Sequence, residues 1–463
     1  MTASVEPGRT RRDPRPLAAG QPWLPDPVPL LLLSWTLLSL AISVLNGAYR
    51  TKAFWPLSAA FGVLLLAVGC LRRRRQPIAA GAWTRSPTPA LGAAIGAGLA
   101  VPLAYDVGLY GTGTALVASR SLSVAAAALL AGAAAWPAVR RALAALSAAT
   151  GALAMVLMIH ASPRPAIDVW FILTVGSRRL LDGQNVFTSC WPGNTDRLTD
   201  CVYPYGPMTT VLQTPFRLAF GDVRFSYVVA LLLAAGLLWR LAGPVWGPLL
   251  GPLVLVSPKI AFLVEQSWTE PLLLAGIATM VLAVISGRPW LAVLALGLAL
   301  ACKQHVLLLV PLAAAWPAFG PRRTLVSVLG AGIATLPWFL ADPRAFLDDA
   351  LWFNLDLTPR RDSLSAFTAL TNAGHEPAFW MVAAVSLFAV VAAVCLLPRN
   401  AVGFTAGAAF VQFVFDYANK QSFFNHWWFV SGLLLLAVAV LVRDEDLPAP
   451  AREPADGESR TAD

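Results

Sequence analysis

The sequence predicts an all-α, polytopic membrane protein, and three observations carry that expectation. Of its 463 residues 57% are hydrophobic and only 13% charged, about half the charged share of soluble domains, and mean hydropathy is +0.65. Apolar stretches of ~17–20 residues, enough to cross a hydrocarbon core, recur along the chain. Arginines punctuate alternate junctions between those stretches, as a positive-inside topology requires.

The predicted spans, in order, are 28–47, 53–71, 89–109, 120–138, 142–160, 223–242, 245–262, 269–286, 290–302, 304–318, 324–341, 378–397, 401–416 and 424–442. With the N-terminus inside, Arg72 to Arg75, Arg140–Arg141, Arg240, Arg288, Arg322–Arg323, Arg399 and Arg443 all fall in the cytoplasm with no inversion. Residues 1–27 are polar and Arg/Pro-rich and lack the apolar run of a signal peptide, so they read as a cytoplasmic tail. Residues 443–463 are acidic and Pro/Ala-rich, a second tail without the means to bury a core. The net charge of +9 belongs to inside-facing arginines, and nucleic acid is not expected as a partner. Between the tails the chain divides into a four-helix stretch, 28–138, and a larger module, 139–442. The pair 290–302 and 304–318 is short at 1.5 Å per residue. It reads either as half-helices meeting at Lys303-Gln304-His305 or as one long helix, and the downstream arginines oppose the second.

On this topology the polar segments 161–222, 259–270, 303–305, 342–376 and 416–426 all face the extracytoplasmic side. Simple connectors do not gather His, Lys, Asn, Trp and carboxylates on one face; a site does. The longest of them carries Asp168 at the start of an amphipathic stretch to Asp182 that suits the interface plane. A second such stretch spans Pro207 to Phe220. Asp168 reads as a general base, or as a helix cap or ion-pair partner of Arg178 or Arg179. Tyr203 and Tyr205, in Tyr-Pro-Tyr-Gly-Pro, suit either an interfacial anchor or the wall of a sugar or prenyl pocket. Gln266 and Glu270 stand at the mouth of a helix pair, where acids beside apolar core carry a function as a rule. Lys303 and His305 at the break, Arg360 and Arg361, and His426 can each donate to an anionic oxygen, and together they suggest a phosphate site. Cys190 and Cys201 share the polar loop and are either a disulfide or two thiols. No P-loop, dinucleotide fingerprint or metal-ligand spacing occurs, so no cofactor and no metal is expected.

The order of helix, loop with an early acid, two interfacial helices and many spans resembles the GT-C class of membrane glycosyltransferases. More narrowly, the loop resembles glycosyltransferase family 87, the polyprenol-phosphate-mannose-dependent mannosyltransferases of actinobacteria. The likeness rests on Asp168, Leu181-Asp182-Gly183, Phe187, Tyr203-Pro204-Tyr205-Gly206-Pro207, Lys303-Gln304 and Pro359-Arg360-Arg361-Asp362-Ser363, and covers roughly 142–442. It implies a GT-C-like fold of about 13–14 transmembrane helices in the plasma membrane. It also implies a polyprenyl-phosphate sugar donor, a lipid or cell-envelope glycan acceptor, and inverting transfer with Asp168 as base. An arabinofuranose donor would place the same phosphate in a similar site. The four spans before 139 depart from the usual plan, in which the acid-bearing loop follows the first helix. A rival expectation is a transporter or flippase, which calls for internal repeats and polar groups near mid-membrane.

Overall fold

A computed structural model describes residues 26–73, 89–191, 194 and 196–446. The N-terminal tail to residue 25, Arg74 and Arg75, Pro192, Gly193 and Thr195 of the cysteine loop, and the tail from 447 lie outside the described residues. The first helices are α1 (Pro27–Ser43), α2 (Thr51–Arg73), α3 (Pro89–Ala104), α4 (Gly113–Ala135) and α5 (Arg140–Ala161). Next come α6 (Asp168–Leu181), α7 (Met208–Phe220), α8 (Phe225–Leu255), α9 (Ile260–Glu265) and α10 (Glu270–Ile285). Then follow α11 (Pro289–Cys302), α12 (Val310–Ala315), α13 (Gly320–Ala341), α14 (Pro343–Leu347) and α15 (Phe353–Asp356). The last are α16 (Ala366–Asn372), α17 (Trp380–Leu396), α18 (Ala401–Ala418) and α19 (Phe424–Asp446). The described residues hold no strand, only an isolated bridge between Ala48 and Ser363.

Among the described residues seven helices are long and apolar enough to cross a membrane, and six shorter apolar ones stand among them. Each of the fourteen predicted stretches has its helix once α8 is recognised as two arms. Gly243 sits inside α8 at φ 75°, ψ −170°, a conformation that only glycine adopts without strain. The chain folds back there. A Cβ on Gly251 would stand 2.7 Å from the Ala235 carbonyl oxygen, and Gly247 is pressed against the Trp239 carbonyl. The second arm stops at Leu255, short of the expected 262. Pro258 removes a helical donor, Lys259 turns left-handed at φ 59°, and α9 starts afresh.

The expected break at Lys303 is present. α11 ends at Cys302, Lys303 is extended at φ −156°, ψ 135°, and a 3₁₀ turn, Gln304–Leu309, leads into α12.

α19 is the axis of the bundle, buried along almost its whole apolar length and packed by α1, α8, α10 and α18. α13 lies at the periphery, with Leu325, Leu329, Ile333, Leu336 and Leu340 exposed. α17 similarly bares Leu387, Phe388 and Val391. Apolar faces of that extent suit hydrocarbon rather than water. The four helices before α5 share the common core: α1 packs on α19, α4 on α5, and Phe61 of α2 stacks on Phe413 of α18 at 5.2 Å.

Candidate functional site

Asp168 stands in the first turn of α6. Pro163 and Pro165 carry the chain off α5, and Ile167 is extended at φ −135°, ψ 136° before the helix begins. Neither Arg178 nor Arg179 pairs with Asp168; the Arg179 guanidinium donates to Gln184 instead. The Thr199 hydroxyl donates to Asp168 Oδ2 at 3.3 Å, long for a bond of this type. Burial pushes the Asp168 carboxyl above the ordinary carboxylate range. The Val169 amide opposes that rise, the negative charge of Asp196 adds to it, and Thr199 and the Arg360 guanidinium oppose it more weakly.

Thr199 is fixed by a closed loop. Cys190 and Cys201 form a disulfide, which settles the alternative that the sequence leaves open. The Trp191 amide donates to the Asp200 carbonyl at 2.6 Å, and its indole to the Val202 carbonyl at 3.0 Å. Asn194 Nδ2 donates to the Thr199 hydroxyl at 2.8 Å.

The Tyr-Pro-Tyr-Gly-Pro run lies against the broken end of α11. The Gly206 amide donates to the Cys302 carbonyl at 2.9 Å, and Gln304 Nε2 donates to the carbonyls of Pro204 and Ala350 at 3.3 and 2.9 Å. Tyr203 is fully buried. Its hydroxyl is engaged with Thr210 at 2.5 Å, and its amide donates to Asp349 at 2.8 Å, so it belongs to the loop's own core. Tyr205 lies with its ring 5.8 Å from the Lys303 ammonium. Burial first, then the charges of Asp168 and Glu270, raise its phenol well above the ordinary value, so it stays neutral between two carboxylates.

Around the break the polar groups are arranged in pairs. The Lys303 ammonium donates to the wholly buried Glu270 carboxylate, and Asn425 Nδ2 donates to the same oxygen at 2.7 Å. His426 Nδ1 lies 3.0 Å from Asp416, a buried carboxylate that also accepts from Gln412 at 3.0 Å. The His305 ring is 5.6 Å from those of His426 and Phe429. Arg360 forks onto Asp362 at 2.9 and 2.7 Å and lies 4.8 Å over the Phe423 ring. Arg361 is exposed and its guanidinium has no partner among the described residues. Gln266 donates to Glu265 at 3.2 Å. Glu265 itself accepts from the amides of Leu109, Tyr110 and Gly111 at 2.5, 2.9 and 2.7 Å.

Of the residues singled out in the sequence, Tyr205, Glu270, Lys303, His305 and His426 form one cluster. Asp168 and Arg360 are coupled electrostatically beside it. Tyr203 is a core residue, Gln266 belongs to the Glu265 contact, and Arg361 stands apart. All five polar segments nonetheless meet at one end of the bundle. Buried polar atoms without a hydrogen-bond partner collect there too, including Glu270 Oε2, His305 Nε2, Gln412 Oε1 and Thr174 Oγ1; native structures keep few of these, and they concentrate where a site is built. Sequence reasoning passed over Thr199, Asn425 and Asp416. Asp416 had a signal, an acid at the end of an apolar helix. Thr199 had none, because its importance comes from a contact 31 residues away. Among the described residues no three His, Cys, Asp or Glu side chains gather as metal ligands would. Compared with protein-family models, curated proteins and solved structures, the chain matches none.

Proposed function

We propose that this chain is a GT-C-like membrane glycosyltransferase, similar to family 87, that moves a sugar from a polyprenyl-phosphate donor to a hydroxyl of a lipid or cell-envelope glycan. In this reading both termini are cytoplasmic, the polar end of the bundle faces outward across the plasma membrane, and mannose is the first choice of sugar. An arabinofuranose donor would use the same chemistry.

One observation carries the proposal. Asp168 is a half-buried carboxylate with no ion-pair partner among the described side chains, at the same end of the bundle as Lys303, His305, His426 and Arg360. A base needs a free lone pair within reach of the attacking hydroxyl, and a carboxyl raised by burial is the stronger proton acceptor. In the step proposed, Asp168 takes the acceptor's hydroxyl proton as that oxygen bonds to the anomeric carbon. The bond from that carbon to the phosphate oxygen breaks, the electron pair leaves with polyprenyl phosphate, and the anomeric centre inverts. Negative charge grows on the departing phosphate, where preorganised donors have most to contribute.

Three of the proposed donors already have a carboxylate: Lys303 has Glu270, Arg360 has Asp362, and His426 has Asp416. A phosphate would therefore meet oriented, partly neutralised donors. That arrangement favours binding a monoanionic diester and releasing a product that carries more charge.

The test is Asp168→Asn, purified into lipid and assayed with labelled polyprenyl-phosphate sugar. General-base catalysis is worth about 10²–10⁴-fold, and a loss of that order is expected. Transfer at the wild-type rate would remove Asp168 from the mechanism. A transporter reading draws on the buried Lys303–Glu270 pair at a helix break, and it is weaker because the polar groups gather at one end of the bundle.

A further inference from the structure

The cluster at the break is short of positive charge for an anion. Lys303 faces Glu270, and His426 faces Asp416. Lys303 is thus one cation against two carboxylates, and the cluster is net negative while His426 is neutral. His305 does not change that count. Its ring lies 5.6 Å from that of Phe429, and its Nε2 is enclosed without a hydrogen-bond partner, where a charge would be costly. Lys420, between α18 and α19, turns to the Leu355 carbonyl and the Phe379 ring instead. Among the described residues α1 and α8, which also pack on α19, bring no ion-pair partner to His426.

The hydrogen bonds decide where a proton can be added. Asp416 is wholly buried near the end of α18, and both of its oxygens accept. Gln412 Nε2 donates to Oδ2 at 3.0 Å and the Ser422 hydroxyl to Oδ1 at 3.4 Å. The hydrogen in the 3.0 Å contact with His426 therefore belongs to Nδ1 of the ring. A neutral His426 is then left with a bare lone pair on Nε2. That atom has no hydrogen-bond partner among the described residues, and the side chain is 20% exposed. A lone pair repels a phosphate oxygen, whereas an N–H at the same place binds it. Asn425, the preceding residue, donates to Glu270 at 2.7 Å and ties the first turn of α19 to the other ion pair.

We infer that His426 takes up one proton from solvent when a phosphodiester binds at this cluster, so that the anion site is completed by a proton rather than by a further side chain. This rests on the glycosyltransferase reading, which places a phosphodiester here. The proton passes from water to Nε2, and no bond of the ligand breaks. The bound anion favours the charged ring, so affinity rises as pH falls.

The test uses the full chain in lipid nanodiscs, with citronellyl mannosyl phosphate as a monoanionic diester and citronellyl mannoside as its uncharged match. Calorimetry in two buffers of different ionisation enthalpy counts the protons. Binding of the diester should take up about one proton on the alkaline side of the range, roughly pH 5–8, in which imidazoles change charge. Affinity should fall there by about tenfold per pH unit. His426→Gln should abolish both the uptake and the slope, and binding of the mannoside should show neither. The chain has four histidines, so ¹⁵N-histidine spectra are readable. The resonance missing from His426→Gln should report an Nδ1–H ring in the free protein and a doubly protonated ring with the diester bound. Diester binding without proton uptake, or a slope that survives in His426→Gln, would overturn the inference. A diester that binds no better than the mannoside would sink the phosphate site and the inference with it. Proton-linked binding in a wild type that transfers no sugar would sink the glycosyltransferase reading and leave the inference standing.

Discussion

Thr199 and Asp168 are joined by a hydroxyl–carboxylate hydrogen bond of 3.3 Å, and the disulfide between Cys190 and Cys201 encloses Thr199 in the loop that makes it. The bond favours the ionised form of Asp168, the form a base needs. Thr199→Val should therefore raise the Asp168 pKa further, moving the acid limb of the rate profile to higher pH and slowing transfer on that limb. Thr199→Ser should restore most of the rate. An equal loss in both variants would point to packing of the methyl group instead.

The acid limb of the rate profile offers a test with a sign. Activity should fall as pH drops through the raised Asp168 pKa, above the ordinary carboxylate range. Arg360 favours the ionised carboxylate, so Arg360→Ala should move that limb to higher pH. Asp196 disfavours it, so Asp196→Asn should move it to lower pH. Shifts in the same direction in both variants would show that Asp168 does not set the limb.

Opening the cysteine loop separates its two roles. Replacing both Cys190 and Cys201 by Ser should cost roughly 2–4 kcal/mol of stability. It should also release Thr199, giving the same raised acid limb as Thr199→Val. Thermal unfolding and the pH profile, read side by side, check the two effects.

At the break after α11, Lys303→Met leaves Glu270 as a buried charge whose remaining side-chain hydrogen-bond partner among the described residues is Asn425. Breaking such a pair costs about 3–5 kcal/mol, whereas Lys303→Met combined with Glu270→Leu should regain much of that loss. Denaturation of the two single variants and the double variant gives the coupling energy. A double variant as unstable as the sum of the singles would mean the two side chains act independently.

Gly243 is the hinge on which α8 folds back. Gly243→Leu forces a side chain into φ 75°, ψ −170°, with an expected cost of about 1–3 kcal/mol. Gly251→Leu should do comparable harm by a different route, parting the two arms at the Ala235 carbonyl. Protease sensitivity and melting temperature would report both. Wild-type stability in Gly251→Leu would mean that the arms do not lie in contact.

Much of the fold was legible because it rests on local, repeated signals. Apolar length located the long apolar helices but not the short α9, α14, α15 and α16, and the break at Lys303 showed itself as two stretches too short to span. Gly243-Pro244 lay between two predicted spans, so the reversal of α8 was foreshadowed, though its left-handed geometry was not. The stop at Leu255 was missed because Pro258 and Lys259 lie inside an otherwise apolar run. For the site, residue type announced who would gather at the polar end but not who would pair with whom. Nothing local tells Lys303 that Glu270, 33 residues earlier, will hold it, or Glu265 that it will hold three amides from about 155 residues earlier. Those partners follow from tertiary packing, as does the demotion of Tyr203 from pocket wall to core.

The contact between α1 and α19 sets an order of assembly. α1 is made first, yet the helix that covers it starts at Phe424, about 380 residues later. At roughly 5–20 residues per second that wait lasts on the order of 20–80 s. Throughout it the α1 surface that α19 will cover has only other helices, lipid or an insertion factor for company. A ribosome stalled before Phe424 should therefore leave α1 open to protease or thiol reagents, and release past Val442 should close it. The core of the bundle is closed by two helices made about 380 residues apart, the earlier of which must wait for the later.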